Sequence, residues 1–268
     1  MKDLHDKSLG LSAGMPHTHD ANAPGCSACD QHIWSYTGET GPDHWGQLCA
    51  PVCSNGKRQS PIAILDPVYK SLPTITYHRL SPTPSLILKN YGFTPKTRYA
   101  SDPESTYIQF SGSSVKYQFG EFHFHMPGEH TLHNRYYEME MHLVHTDTSD
   151  PNNNVAIAVL ISEGLHNPKF DAIFGNLPGG DRCQETKIPY QNIYDLLPTD
   201  RRYYTYPGSL TTPDCSETVT FVILNGEIQL SYDQIATFHS YLAKQGYDKT
   251  NRPLQPVGDR AVETNVPQ

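Results

Sequence analysis

From about residue 85 onward the chain alternates apolar and polar positions in short runs, with turn residues between them. Residues 85–90, 106–110, 115–125, 137–146, 155–161 and 218–224 are β-type runs bounded by turn clusters and predict strands. The run 155–161 is apolar at every position, which suits a central strand covered on both faces. Helical periodicity is scarce. Ser231-Tyr-Asp-Gln234 has the capping-box pattern, Ile235, Phe238, Tyr241 and Leu242 follow on one face, and Gly246 lies past the end. Asn167-Pro168 opens a shorter helix that closes near Gly175. The pattern predicts a mainly β, mixed α/β domain: one central twisted sheet with a few short peripheral helices. Residues 1–30 show no period and read as a flexible tail, in which His17 and His19 could bind a metal; residues 31–268 read as one domain.

Composition narrows the class. Of 268 residues, 37% are hydrophobic and only 18% charged, with 22 Pro, 19 Gly and 17 Tyr. That excludes disorder by charge excess and excludes a helical bundle or coiled coil. A net charge of −8 excludes a broad basic surface for nucleic acid. No apolar run approaches the roughly 18 residues of a membrane span. The six cysteines, an even count without paired Cys-x-x-Cys motifs, favour disulfides over a zinc ribbon. Disulfides imply an oxidising compartment: secreted, periplasmic or an organelle lumen. The N-terminus as written has no leader, as both a mature chain and a cytoplasmic one would look.

The candidate chemistry lies in the histidines. In Glu121-Phe-His-Phe-His125 a strand puts Glu121, His123 and His125 on one face and the phenylalanines on the other. In 138–145 the same period groups Glu140, His142 and Val144, with His145 opposite. If these strands pair antiparallel through the connection 126–136, three imidazoles converge. A three-histidine tripod leaves the fourth tetrahedral position of zinc open for catalysis. Glu121 and Glu140 each precede a candidate ligand by two residues, where a carboxylate can accept the outer N–H of a ligand ring.

Around these residues the chain resembles the α-class carbonic anhydrases, secreted and bacterial members above all, in motifs running from Trp34 to Arg260. Trp34-Ser-Tyr36, Gly41-Pro-Asp-His-Trp45 and Arg58-Gln-Ser-Pro-Ile62 come first. Phe122-His-Phe-His125, Gly128-Glu-His130 and Glu140-Met-His-Leu-Val-His145 resemble the family's metal core. Tyr206-Pro-Gly-Ser-Leu-Thr-Thr-Pro213 resembles its active-site loop and Arg252-Pro-Leu-Gln-Pro256 its C-terminal signature. The resemblance implies a mostly antiparallel sheet of about ten strands, with Zn2+ on His123, His125 and His142. It implies reversible hydration of CO2 to bicarbonate and a proton by a zinc-bound hydroxide, a weak esterase activity, and inhibition by sulfonamides and anions. Thr211 would orient the nucleophile and donate to an ionised Glu129. Thr212 adjoins it, and Val144, Leu210, Val219 and Phe221 would wall the CO2 site, with Phe221 where many members carry Trp. Cys53 and Cys215 resemble the family's bridging pair. Cys26, Cys29, Cys49 and Cys183 have no template there, and Cys49 with Cys183 is a guess.

Two departures lower the expected rate. The family often places a proton-shuttling histidine where this chain has Phe93, in Asn90-Tyr-Gly-Phe93, and its water-ordering asparagines appear as Tyr91 and Lys96. Glu121 stands where glutamine is usual, and an anion behind His123 should weaken zinc as an acid. His32 is the one substitute shuttle the sequence offers. The alternative from another class is a carbonic-anhydrase-like binding or storage protein with little turnover. Loss of a ligand histidine would favour that alternative, and none is lost.

Overall fold

The computed structural model describes residues 34–48, 50–79, 84–101, 105–180 and 182–267. His17, His19, His32, Cys26, Cys29, Cys49 and the tail expected over 1–30 lie outside these residues. The strands begin with β1 (Ala63–Ile64), β2 (Val68–Tyr69), β3 (Ile75–His78), β4 (Leu86–Asn90) and β5 (Pro95–Tyr99). They continue with β6 (Tyr107–Phe110), β7 (Tyr117–His125), β8 (Thr131–Leu132), β9 (Met139–Asp147) and β10 (Asn154–Glu163). The last five are β11 (Glu185–Ile188), β12 (Tyr203–Gly208), β13 (Val219–Leu224), β14 (Ile228–Leu230) and β15 (Glu263–Thr264). The helices are α1 (Trp45–Leu48), α2 (Val52–Asn55), α3 (Asp171–Phe174) and α4 (Tyr232–Lys244).

Ten strands form one continuous path, β11-β4-β5-β7-β9-β10-β13-β12-β15-β2. The pairings are antiparallel except β10 with β13 and β15 with β2. Off this path β14 joins β10 in parallel and β3 and β6 extend from β7, so the expected mostly antiparallel sheet is present with thirteen strands, ten of them on one path. All six predicted strands fall within two residues of their observed bounds. On this path the short strands β2, β11 and β15 escaped prediction, and so did the longer β5 and β12. β5 opens on Pro95 and carries Lys96 and Arg98, and β12 ends in Pro207-Gly208, so both read as turns.

The sheet's two faces do different things. One packs under the helices: Phe124 meets Phe174 at 5.3 Å and Phe238 at 5.6 Å between ring centroids. The capping box forms as the sequence predicts, with Ser231 and Gln234 satisfying each other's backbone N–H groups at the start of α4. The other face carries the candidate site and a second apolar cluster that includes Ala156, Ala158, Tyr206 and Phe221. At Gly120 the register of β7 against β9 slips by one residue. Phe119 pairs with His145, yet Glu121 pairs with Val144. That bulge lets Phe119 join Phe122 and Phe124 on the helix side, while Glu121, His123 and His125 stay on the other.

His145, opposite the ligand face as expected, is fully buried. Its Nδ1–H donates to the Leu143 carbonyl and its Nε2 accepts from the Tyr194 hydroxyl, both at 3.1 Å. Burial pushes its pKa down to about 4, against backbone hydrogen bonds that raise it. The unfolded chain binds this proton near pH 6.5 and the folded one near 4. Stability from His145 is thus complete above about pH 6.5 and is lost as pH falls toward 4. The loss is on the order of 3 kcal/mol. His145→Phe should flatten this part of the profile, read as the difference between urea midpoints at pH 7 and pH 4.5. An equally steep profile in the variant would assign the acid sensitivity to other groups.

Candidate metal centre

Strands β7 and β9 pair so that His123 faces His142 directly, with Glu121 opposite Val144 and His125 opposite Glu140. His123 is 9% exposed, His142 3% and His125 fully buried. One nitrogen from each ring lies within 4.8 Å of the other two. The outward nitrogens are all engaged. His123 Nδ1 meets the two Glu121 oxygens at 3.1 and 2.9 Å. His142 Nε2 meets Glu140 Oε1 at 2.7 Å, and His125 Nδ1 meets the Thr250 carbonyl at 2.6 Å. Carbonyl and carboxylate oxygens can only accept here, so these outward nitrogens carry the ring protons.

That assignment decides what belongs in the centre. His123 Nε2 and His125 Nε2 are 3.1 Å apart, and with both protons on Nδ1 each presents a lone pair to the other. Two lone pairs at this distance repel, and a cation between them turns the repulsion into ligation. Glu129 adds a second sign. Its Oε1 accepts the Arg252 backbone N–H at 2.9 Å, whereas the buried Oε2 has no hydrogen-bond partner. That orphaned oxygen lies 3.5 Å from His125 Nε2 and 4.0 Å from His142 Nδ1. The donor set, three imidazoles with an open side, fits zinc. Burial holds His123 and His125 below the ordinary histidine range, which keeps them neutral as ligation requires.

The carboxylates differ in state. Burial raises Glu121, but His123 and then Lys96 overcome it and bring the carboxyl to about 2. Lys96 Nζ lies 3.4 Å from Glu121 Oε1, a partner not visible in the sequence. Glu140 is fully buried, and burial likewise opposes its ionisation. His130, with His142 behind it, wins, and the group stays well below the usual range. Its Oε1 also takes His130 Nδ1 at 2.6 Å, and its Oε2 takes the backbone N–H groups of Glu129 and His130. His130 Nε2 continues to the Tyr206 hydroxyl and from there to Ser60. The second cluster of potential ligands, His130, Glu140 and His142, is therefore a hydrogen-bonded chain. Burial and the Glu140 charge push Glu129 up, against the Arg252 N–H and the Thr211 side chain, which hydrogen-bond it and favour the ionised form. A dication held by the imidazoles would reverse that balance.

One wall of the site is apolar. Val144, Ala156 and Phe221 follow one another across β9, β10 and β13 in register. The Phe221 ring stands 5.5 Å from the His142 ring and stacks on Tyr206 at 5.4 Å. Val219 is buried on the same strand and Leu210 packs partly buried against this cluster. Thr211 is buried, and Thr212 is half-buried with its carbonyl accepting the Cys215 N–H.

Comparison with known proteins agrees with this geometry. A profile of the eukaryotic-type carbonic anhydrase family matches residues 40–266. The chain belongs to the α-class carbonic anhydrases. A carbonic anhydrase of Klebsiella pneumoniae is 35% identical over 85% of this chain and 89% of its own length. Human carbonic anhydrase 7 is 30% identical over 87% and 97%. Among solved structures, a hyperthermostable carbonic anhydrase from a hydrothermal vent chimney superposes with a TM-score of 0.77 at 38% identity. It covers 87% of this chain and 99% of that one. The α-carbonic anhydrase of Thermovibrio ammonificans, solved with the inhibitor sulfanilamide, gives 0.77 at 32% identity, covering 87% and 99%. The protein is thus a lyase of a family that hydrates CO2, and the family norm is zinc dependence.

Cys53 and Cys215 of this carbonic anhydrase are joined by a disulfide across 162 positions of chain. Its two ends are tied to the site. The Cys53 carbonyl accepts from Arg252, whose backbone N–H holds Glu129, and the Cys215 carbonyl accepts from Gln59. Closing so long a loop should contribute on the order of 2–4 kcal/mol. Cys53→Ser with Cys215→Ser should lower Tm by about 5–15 °C by calorimetry, and an unchanged Tm would show that the loop holds without it. Cys183 is also disulfide-bonded; the partner guessed for it, Cys49, lies outside the described residues. Sequence reasoning missed four supports: Thr250 behind His125, Lys96 behind Glu121, Arg252 behind Glu129, and Ala156 in the apolar row. Each is brought to the site by tertiary contact, and even Arg252, which opens the C-terminal motif, shows no sign in that motif of its reach to Glu129.

Proposed function

We propose that this carbonic anhydrase works as a zinc enzyme, with His123, His125 and His142 as the metal ligands. The observation that carries this is the pair of facing lone pairs on His123 and His125, 3.1 Å apart with no proton to share. Zinc held there supplies Lewis acidity, making hydroxide available from water near neutral pH. Glu121, Glu140 and the Thr250 carbonyl fix the tautomer and tilt of the three rings. Glu129, ionised beside a dication, takes the Thr211 proton as a hydrogen bond, so the Thr211 oxygen is left to accept from the attacking oxygen. That aims a lone pair of the nucleophile toward the apolar side. There Val144, Leu210, Val219 and Phe221 receive CO2, which is small and carries no charge to pair, and Thr212 lies beside Thr211 at the bicarbonate end.

Phe221, where many members carry Trp, is a smaller aromatic that keeps this wall apolar. Phe93 offers no group for proton export, which makes turnover depend on buffer. A sulfonamide such as sulfanilamide should inhibit through the same site. The Cys53–Cys215 disulfide supports an oxidising compartment. Among the described residues no helix is long and apolar enough to cross a membrane.

Stopped-flow CO2 hydration with and without a chelator, beside a metal analysis, tests the reading. About one zinc per chain and chelator-sensitive hydration are expected. Bound zinc without turnover would favour the binding or storage alternative, and absence of zinc in protein purified without chelator would overturn the ligand set.

A further inference from the structure

Strands β4 and β5 pair so that Lys89 faces Lys96 directly. Like charges placed opposite each other on a sheet repel, unless each finds an acid. Lys89 lies 3.9 Å from Glu185. Lys96 turns the other way, to Glu121 Oε1 at 3.4 Å, while both ammonium groups face the Tyr91 ring at 5.7 and 5.4 Å. The antiparallel register that sets Thr97 opposite Phe122 carries Lys96, one step along, to the position opposite His123. Glu121 in turn spends both oxygens on His123 Nδ1. An unbroken line therefore runs from ammonium to carboxylate to imidazole, ending on the ring nitrogen that faces His125.

We propose that Lys96 is a positioning residue that, acting through Glu121, sets how strongly His123 donates to the metal. This inference rests on the zinc reading above. A carboxylate behind a ligand imidazole strengthens it as a donor. Lys96 draws on the same carboxylate from the other side and weakens its hold on the Nδ1–H. Ammonium and carboxylate together present a net-neutral partner to His123. The Glu121 departure is thereby compensated: the chain replaces a neutral partner with a charge and its counter-charge. The effect is one of fixed charges and their geometry. Lys96 is about one-third exposed, so exchanging it leaves the core untouched.

The test is a double-mutant cycle on zinc affinity, measured by chelator competition for wild type, Lys96→Met, Glu121→Gln and the double variant. Lys96→Met should tighten zinc by about three- to tenfold, because the carboxylate is released to the imidazole. Glu121→Gln should loosen it by roughly 10- to 100-fold. In the double variant the lysine change should add less than about twofold to the effect of Glu121→Gln. The visible absorption of the cobalt-substituted protein should shift in Lys96→Met, which a purely structural role would not produce. Equal effects of Lys96→Met with and without Glu121, or a loosening, would overturn the proposal while leaving zinc in place. A wild type that binds no zinc would overturn the site reading and this inference with it.

Discussion

Replacing His142 with alanine is expected to remove the metal and the CO2 hydration together. His142 is the proposed ligand from the second strand, the one that would turn a two-histidine edge into a tripod. Without it His123 and His125 still face each other at 3.1 Å, but two neutral imidazoles cannot compete for zinc at trace concentration. The loss should exceed the roughly 10- to 100-fold that follows removal of an outer hydrogen-bond partner. Zinc per chain should fall from about one to almost none, with stopped-flow hydration at the buffer rate. The fold should survive, because Glu140 keeps three of its four partners: His130 Nδ1 and the N–H groups of Glu129 and His130. Circular dichroism and Tm would confirm that. A folded His142→Ala protein that retains zinc and activity would remove the tripod from the mechanism.

What could be read from sequence and what could not divides along a physical line. The period of two in Glu121-Phe-His-Phe-His125 predicts a shared face because side-chain direction is a local property of a strand. The same rule placed His142 with Glu140 and sent His145 to the far side, where it lies against Tyr194. Capping at Ser231 and Gln234 is equally local. The bulge at Gly120 was not legible, since alternation alone would have put Phe119 beside Glu121. The Thr250 carbonyl, which fixes His125, is a backbone atom 125 residues away and leaves no trace in side-chain pattern. Lys96 read as a lost asparagine, but its reach to Glu121 depends on β5 lying beside β7. Thr211, Glu129 and the Cys53–Cys215 pair were expected only through family resemblance.

Phe93→His is expected to raise kcat at low buffer by about tenfold and to leave kcat/KM nearly unchanged. Each hydration leaves one proton in the site, and it must reach solvent before the next cycle. The fastest carbonic anhydrases turn over about 10⁶ times per second, which demands a group that both accepts and releases a proton near neutral pH. Phe93 is 7% exposed, 4.9 Å from the Trp34 ring and 6.1 Å from the Tyr36 ring between centroids, so the aromatic cluster at this position carries no such group. With no group at this position the proton is expected to leave through buffer, and wild-type kcat should climb with the concentration of an imidazole-type buffer. The ratio kcat/KM reports the earlier CO2 step and should stay flat. An imidazole introduced among these rings loses solvation, which lowers its pKa below 6.5 and favours release over uptake. That limits the gain to about tenfold rather than the 10²–10⁴ of an optimally matched group. A wild type that is already fast and indifferent to buffer would mean another shuttle, with His32→Ala the next variant to measure. If Phe93→His leaves kcat unchanged while wild type does respond to buffer, the water path past Tyr91 and Lys96 is what limits proton export.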